Sequence, residues 1–197
     1  MCDPDFYIES PRLYISYFLP TCPKHCSFLV QLYNSPLFIS AEGKTGVYNE
    51  LQAQERIQKR FVAEHERNGY GTYLVSLKTI PTTSFDESQP IGSVSLSKGD
   101  SKDSYSAPDL GFSIVPEMNG NGYATESGRA LLDYAKTELG VTEVLGFFDP
   151  NNARSRRVME KIGLEDRGVR KLAAFGGVEG AVYALPGMKD LIKYGIE

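Results

Sequence analysis

The stretch Val115-Pro116-Glu117-Met118-Asn119-Gly120-Asn121-Gly122-Tyr123-Ala124-Thr125-Glu126 constrains this chain more than any other. A β-forming run from Asp109 to Val115 stops at Pro116, and a Gly-x-Gly loop follows. A long helix is then predicted over Gly122 to Leu139, with Ala124, Gly128, Leu131, Ala135 and Leu139 as its buried stripe and Gly140 as its stop. A glycine, having no Cβ, lets the main chain approach an anion closely. The helix start adds unpaired N–H groups and a positive dipole end, so the unit can hold a phosphate or pyrophosphate. A plain glycine turn that caps a helix would look the same. A dinucleotide-binding fold needs a third glycine, where Thr125 stands, and needs the motif in the first βα unit. Here it lies past the middle of the chain.

The elements around this unit set the fold class. Leu13, Ile15, Tyr17 and Leu19 alternate as in a first strand, ended by Pro20 and Pro23. A short helix is predicted over Lys24 to Tyr33, stopped by Asn34-Ser35-Pro36. Asn49 caps a second helix, with Gln52 as its capping-box partner and Ala53, Ile57, Phe61 and His65 on one face at steps of four. Asn68-Gly69 closes it. Strands follow at Tyr70 to Ile80, Ile91 to Leu96 and Asp109 to Val115, with polar loops at 81–90 and 98–106 between them. After the long helix come a strand at Val141 to Phe148, a helix at Asn152 to Ile162, and strands near Leu164 to Ala174 and Val178 to Leu185. Hairpin-like strands mixed with helical crossovers predict an α+β fold, an α/β sandwich with a mixed, mostly antiparallel sheet of about seven strands and about four helices. The 197 residues fit a single domain, with its core at about 10–186.

Charge and composition narrow the function. The formal charge is −4, without the basic excess of a general nucleic-acid binder, so no nucleic-acid partner is expected. No apolar run has the roughly 18 residues of a membrane span, and the acidic start Met-Cys-Asp-Pro-Asp-Phe is unlike a signal peptide. Three cysteines, Cys2, Cys22 and Cys26, are an odd count and read as reduced thiols. A soluble cytoplasmic protein with no membrane partner is expected. Glu42-Gly43-Lys44-Thr45 fails as a P-loop, because Phe38 stands where the first glycine belongs. Cys22, His25 and Cys26 fall one ligand short of a structural zinc site, so no metal is expected. No G-x-S-x-G occurs for a serine hydrolase.

A second stretch, Asp149-Pro150-Asn151-Asn152-Ala153-Arg154-Ser155-Arg156-Arg157-Val158-Met159-Glu160-Lys161-Ile162-Gly163-Leu164, joins the first. Together they resemble the GNAT family of acyl-CoA-dependent N-acetyltransferases, and within it the RimJ/RimL-type branch. Asn119-Gly120-Asn121-Gly122-Tyr123-Ala124 is similar to the family's pyrophosphate loop. Asn152-x-x-Ser155 with Glu160-Lys161-x-Gly163 is similar to its second coenzyme-contacting helix, and Leu110-Gly111-Phe112-Ser113-Ile114 to the strand before the loop. Two motifs in the family's order are fairly specific.

The resemblance implies a sheet splayed around acetyl-CoA as cosubstrate, an amine acceptor and, as a further possibility, a homodimer. It implies that main-chain N–H groups of about Gly120 to Thr125 hold the pyrophosphate, within a cofactor site that includes Asn119, Asn121, Tyr123 and Ala124. It further implies that the main chain of Phe112, Ser113, Ile114 and Val115 pairs with the pantetheine arm. Asn152 would hydrogen-bond that arm, and Ser155 would lie near the sulfur. Asn119 replaces the family's Arg or Gln, and Asn121 a common Lys or Arg, so the loop carries no formal charge. Residues 151–171 hold seven basic side chains against three acidic ones. They read either as an attraction for an anionic coenzyme or as a solvated face with ordinary ion pairs.

The amine must be neutral to attack a thioester. An alkyl ammonium with a pKa of about 10.4 is neutral in about one molecule in a few thousand at pH 7, and an α-amino group in roughly a tenth. A base is therefore worth more for alkyl amines. Asp109 matches an acidic position on the branch's strand and is the candidate base, if burial raises its pKa. Met159 stands where many relatives have a proton-donating Tyr, which leaves Ser155 as the candidate acid for the departing thiolate. His65 reads as packing. A non-catalytic acyl-CoA-binding module of the same fold is the alternative. The acceptor pocket is expected between residues 37–48, the second helix and the 170–179 loop.

Overall fold

The computed structural model describes residues 3–78 and 84–197. Cys2 and residues 79–83, where one predicted strand ends and a polar loop begins, lie outside the described residues. The strands are β1 (Tyr7–Glu9), β2 (Leu13–Tyr17), β3 (Thr72–Leu77), β4 (Gln89–Ser97), β5 (Asp109–Ile114), β6 (Leu145–Phe148), β7 (Glu165–Leu172) and β8 (Val178–Ala184). They form one sheet in the order β1-β2-β3-β4-β5-β6-β8-β7. Every neighbouring pair is antiparallel except β5–β6, which is parallel.

The helices are α1 (Pro23–Tyr33), α2 (Pro36–Glu42), α3 (Glu50–Arg56), α4 (Ala63–Asn68), α5 (Tyr123–Thr137) and α6 (Ala153–Ile162). A π-helical segment, Ile57–Val62, joins α3 to α4 in one rod. Asn49 caps that rod by accepting from Gln52 N–H, and Gly69, at φ 78°, ends it. Ala53, Ile57, Phe61 and His65 are all buried, as their spacing predicts. Steps of four overrun a 3.6-residue turn by about 40° each. The wider π turn absorbs that drift and keeps the stripe on one face.

Helices cover both faces of the sheet. Leu13, Ile15, Val75, Leu96 and Leu110 pack with Leu131, Ala135 and Met159 under α5 and α6. Phe18 and Leu74 pack with Leu29, Leu32, Ile57 and Phe61 under α1 and the rod. This is the mixed α+β sandwich expected from sequence, with two corrections to its count. The sheet has eight strands rather than about seven, because three-residue β1 has no apolar alternation to announce it. The described residues form five helical rods rather than about four. Ser35, read as part of a stop signal, also caps α2 by accepting from Phe38 N–H, with Pro36 opening the helix. The strand expected from Val141 begins only at Leu145, since Val141 N–H is spent on Ala135 O at the end of α5.

Candidate functional site

Strands β5 and β6 share a single register pair, Asp109 with Leu145, and one main-chain bond, Leu145 N–H to Pro108 O at 2.9 Å. Beyond that pair they part. The other edge of β5 is fully paired to β4, from Ser97–Asp109 to Gly92–Ile114. Val115 N–H donates to Ile91 O at 2.9 Å, which makes the odd-numbered residues of β5 the hydrogen-bonded pairs with β4. By that alternation the N–H and C=O of Phe112 and Ile114 face the gap, while those of Ser113 face β4. Of the main chain expected to meet a pantetheine arm, Phe112 and Ile114 are thus the residues free to do so.

Both parting strands run into helix starts, β5 through the glycine loop into α5 and β6 through Asp149–Asn152 into α6. Gly120 and Gly122 take φ of 84° and 82°, the left-handed region open chiefly to glycine. Gly122 is the N-cap of α5, with no side-chain cap. Among the described residues, the N–H groups of Gly120 through Thr125 donate to no partner; Glu126 N–H, bonded to Gly122 O, is the first that does. Asn119 to Gly122 are exposed, so these donors meet solvent. Six consecutive free N–H groups at a helix start have the donors and the dipole to hold an anion. The start of α6 differs, since Asn152 Oδ1 accepts from Ser155 N–H at 3.1 Å. Its Nδ2 group is left for a ligand. Ser155 is half-buried, and its hydroxyl makes no hydrogen bond among the described residues. It is not tied to a helix carbonyl.

Sequence reasoning missed the brace on this loop. Arg12, between β1 and β2, holds Glu126 through Nε and Nη2, both at 2.7 Å, donates from Nη1 to Asn121 O at 3.1 Å, and stacks 4.6 Å above the Tyr123 ring. Ser10 Oγ and Arg12 N–H also donate to Glu126, each at 2.8 Å. Burial pushes the Glu126 carboxyl up, but these donors outweigh it and hold it below its usual range. The loop thereby gains a neighbouring guanidinium that its own residues lack. The only hint in the sequence is an Arg in the turn before the first strand. Of the basic residues in 151–171, Arg156 lies 3.9 Å from Asp166 and Arg167 2.7 Å from Glu165. The first is a surface pair, while Arg167 is largely covered and also donates from Nε to Met188 O at 2.9 Å.

Asp109 lies where β5 and β6 begin to part, and it lines a cavity of about 360 Å³. Its walls are Ala63 and Glu64 of the rod, Ser97–Asp100 at the end of β4, Tyr105 and Ala107, and the 174–175 turn with Phe175, with Lys59, Arg60 and Arg67 at the side. The second helix and the 170–179 loop line this cavity, the segment 37–48 does not, and residues of the 97–107 loop do. Burial, then the charges of Glu64 and Glu42, push the Asp109 carboxyl up to about 7, against the pull of its own N–H and Arg60. That is the range of a general base working at neutral pH.

The histidines are accounted for by packing. His65 lies between the Tyr17 and Tyr73 rings at 4.7 and 4.6 Å, with Nε2 3.0 Å from Thr72 O, and burial lowers its pKa. His25 Nδ1 accepts from Leu19 N–H at 3.0 Å; burial, with Lys24 beside it, brings its pKa to about 4. Met159 is buried against Gly146, where a Cβ would come within 2.9 Å of its terminal methyl carbon. It has no proton to give.

The model of the acetyltransferase (GNAT) domain matches residues 17–165, most of the chain. The chain belongs to the GNAT family. This GNAT chain is 29% identical over 126 residues to YnaD of Bacillus subtilis, an uncharacterized N-acetyltransferase, covering 64% of this chain and 65% of that one. It therefore spans just under two thirds of that relative. A GNAT-family acetyltransferase from Bacillus anthracis shares the fold at 22% identity and a TM-score of 0.69, over 91% of this chain and 98% of that one. RimL, a ribosomal L7/L12 α-N-protein acetyltransferase solved with coenzyme A, does so at 18% identity and a TM-score of 0.71, over 91% and 97%. Among the described residues no helix is long and apolar enough to cross a membrane.

Proposed function

We propose that this GNAT protein transfers an acetyl group from acetyl-CoA to a primary amine, by direct attack with both substrates bound. The observation that carries this reading is the parting of β5 and β6 beyond Asp109, with six free N–H groups at the mouth of the gap. Bound there, acetyl-CoA supplies an activated thioester carbonyl. The N–H groups of Gly120 to Thr125 bind its pyrophosphate, and Arg12 holds the loop that presents them. Phe112 and Ile114 align the arm as an added half-strand, and one of their N–H groups serves as the oxyanion donor. Asn152 Nδ2 anchors the arm from α6. Asp109 takes the amine proton on its carboxylate from the cavity side. Ser155 Oγ gives a proton or hydrogen bond to the thiolate. The neighbours support this: RimL was solved with coenzyme A, and the immunity acetyltransferase MccE with acetyl-CoA and AMP. We take residues 1–197 as one such unit, working in the cytoplasm.

A binding module without turnover is the second reading, favoured by the buried Met159 in place of a tyrosine acid. Supplying acetyl-CoA to pure protein with a panel of alkyl and α-amines separates the two. Acetylated amine and free thiol in equal amounts support transfer. Coenzyme binding with no product on any amine supports the module.

A further inference from the structure

Glu64 shares the cavity with Asp109, and no part of the mechanism above uses it. It is 7% exposed, a rare position for a glutamate, and it takes part in no ion pair among the described residues. Its Oε1 accepts from Lys98 N–H at 3.2 Å, which pins the carboxyl to the end of β4. Burying a carboxylate costs stability even with the Lys98 and Ser97 donors and the Arg60 and Arg67 charges beside it, so a fold that keeps one has a use for it. The local helix is also unusual. The π segment Ile57–Val62 ends two residues before Glu64, and such segments are frequent at functional sites. Around Glu64, Lys59, Arg60 and Arg67 lie on the rod, with Arg67 already bound to Asp100 at 3.2 Å and to Lys98 O, and Tyr70 follows the rod's end. Lys98 lies on β4, Glu42 at the end of α2 and Asp109 on β5. The facing wall is apolar and aromatic, with Tyr105, Ala107, Ala174 and Phe175, where the Tyr105 and Phe175 rings are 6.2 Å apart.

We propose that Glu64 anchors the ammonium of the acceptor, and that the acceptor is a primary amine on a small aromatic or apolar body. This deepens the acetyltransferase reading and rests on it. An amine arrives as R–NH3⁺. Glu64 stays ionised and binds it, while Asp109 carboxylate accepts one proton, leaving R–NH2 and Asp109 as the neutral acid. The negative charge of Glu64 favours protonated Asp109 and the bound ammonium alike, so it holds the amine in place without itself driving the transfer. Burial raises the pKa of Glu64 too, against the donors from Lys98 and Ser97 and the charges of Arg60 and Arg67. In the proposed division of work Glu64 binds the ammonium and Asp109 exchanges the proton. The cavity of about 360 Å³ suits a body of one ring or a short aliphatic chain.

The test compares wild type with Glu64→Gln and Glu64→Asp, using 2-phenylethylamine as the amine and 2-phenylethanol as its neutral analogue. In Glu64→Gln the KM for the amine should rise at least tenfold. The acidic limb of the pH profile should move to lower pH, and acetyl-CoA affinity should stay as in wild type. Glu64→Asp should recover part of both effects. Calorimetry on the protein with coenzyme A gives a readout independent of turnover: 2-phenylethylamine should bind at least tenfold more tightly than 2-phenylethanol in wild type, and equally weakly in Glu64→Gln. If wild type binds the amine selectively but acetylates nothing, the acetyltransferase reading falls and the anchor stands. If Glu64→Gln keeps amine affinity, or loses rate with an unmoved pH profile, the anchor falls and Glu64 is structural.

Discussion

Replacing Asp109 with Asn should cost activity and add stability, and the added stability should depend on pH. The side chain keeps its shape and loses its charge. In the folded protein the carboxyl titrates at about 7 against an ordinary value of 3.8. A raised folded-state pKa means that the native protein binds more protons than the unfolded chain between those values. Its contribution is fully favourable below the lower value and is lost as pH rises through the upper one. About three pH units at 1.36 kcal/mol each set the loss at up to about 4 kcal/mol above pH 7. The variant never ionises there and escapes it. Urea denaturation at pH 4, 6 and 8 should show the variant about equal to wild type at pH 4, ahead by about two thirds of the full effect at pH 6, and ahead by up to about 4 kcal/mol at pH 8. Groups not coupled to Asp109 titrate in both proteins and cancel in the difference. Over the same range the rate at neutral pH should drop roughly 10²-fold. That loss should shrink toward the pKa of the amine, and should be smaller for α-amines than for alkyl amines. A stability difference that is the same at all three pH values would mean that Asp109 is solvated and no tuned base, which would refute the reasoning.

Gly122→Val forces a β-branched side chain into φ 82°, so coenzyme affinity should fall tenfold or more by calorimetry, with the fold kept by circular dichroism. Unchanged affinity would remove the loop from the site. Ser155→Ala should lower kcat more than it raises the KM for acetyl-CoA, since the hydroxyl is needed mainly as the thiolate forms; a change confined to KM would make it a binding contact. Arg12→Ala removes both the bidentate hold on Glu126 and the bond to Asn121 O. It should weaken coenzyme binding about tenfold and leave the KM for the amine unchanged in steady-state assays.

Much of this was legible in the sequence, for identifiable reasons. The strand-loop-helix unit at 109–139 announces itself because glycines at positive φ and a long apolar stripe are local signals. The same holds for the Asn49 cap and the buried stripe of the rod, whereas Asp109 comes forward only through the family resemblance. Features that depend on distant parts of the chain were not legible. Arg12 reaches Glu126 across 114 positions, and no local pattern says that it must. Glu64 reads as one more polar residue beside a buried stripe, and only the fold places it in a cavity with Asp109. Strand β1 and helix α2 were lost for a different reason: one is too short to alternate, and the other buries no residue fully. The pocket wall at 97–107 was missed because a Ser- and Asp-rich loop shows no period that would place it near the site.

The most direct test of the central claim is a titration of acetyl-CoA into the pure protein by calorimetry, repeated with Gly122→Val and followed by addition of 2-phenylethylamine with the products read by mass spectrometry. The mechanism predicts one site per chain, binding weakened at least tenfold in the variant, and acetylated amine formed in step with free coenzyme A by wild type. No binding of acetyl-CoA to the folded wild-type protein would contradict it.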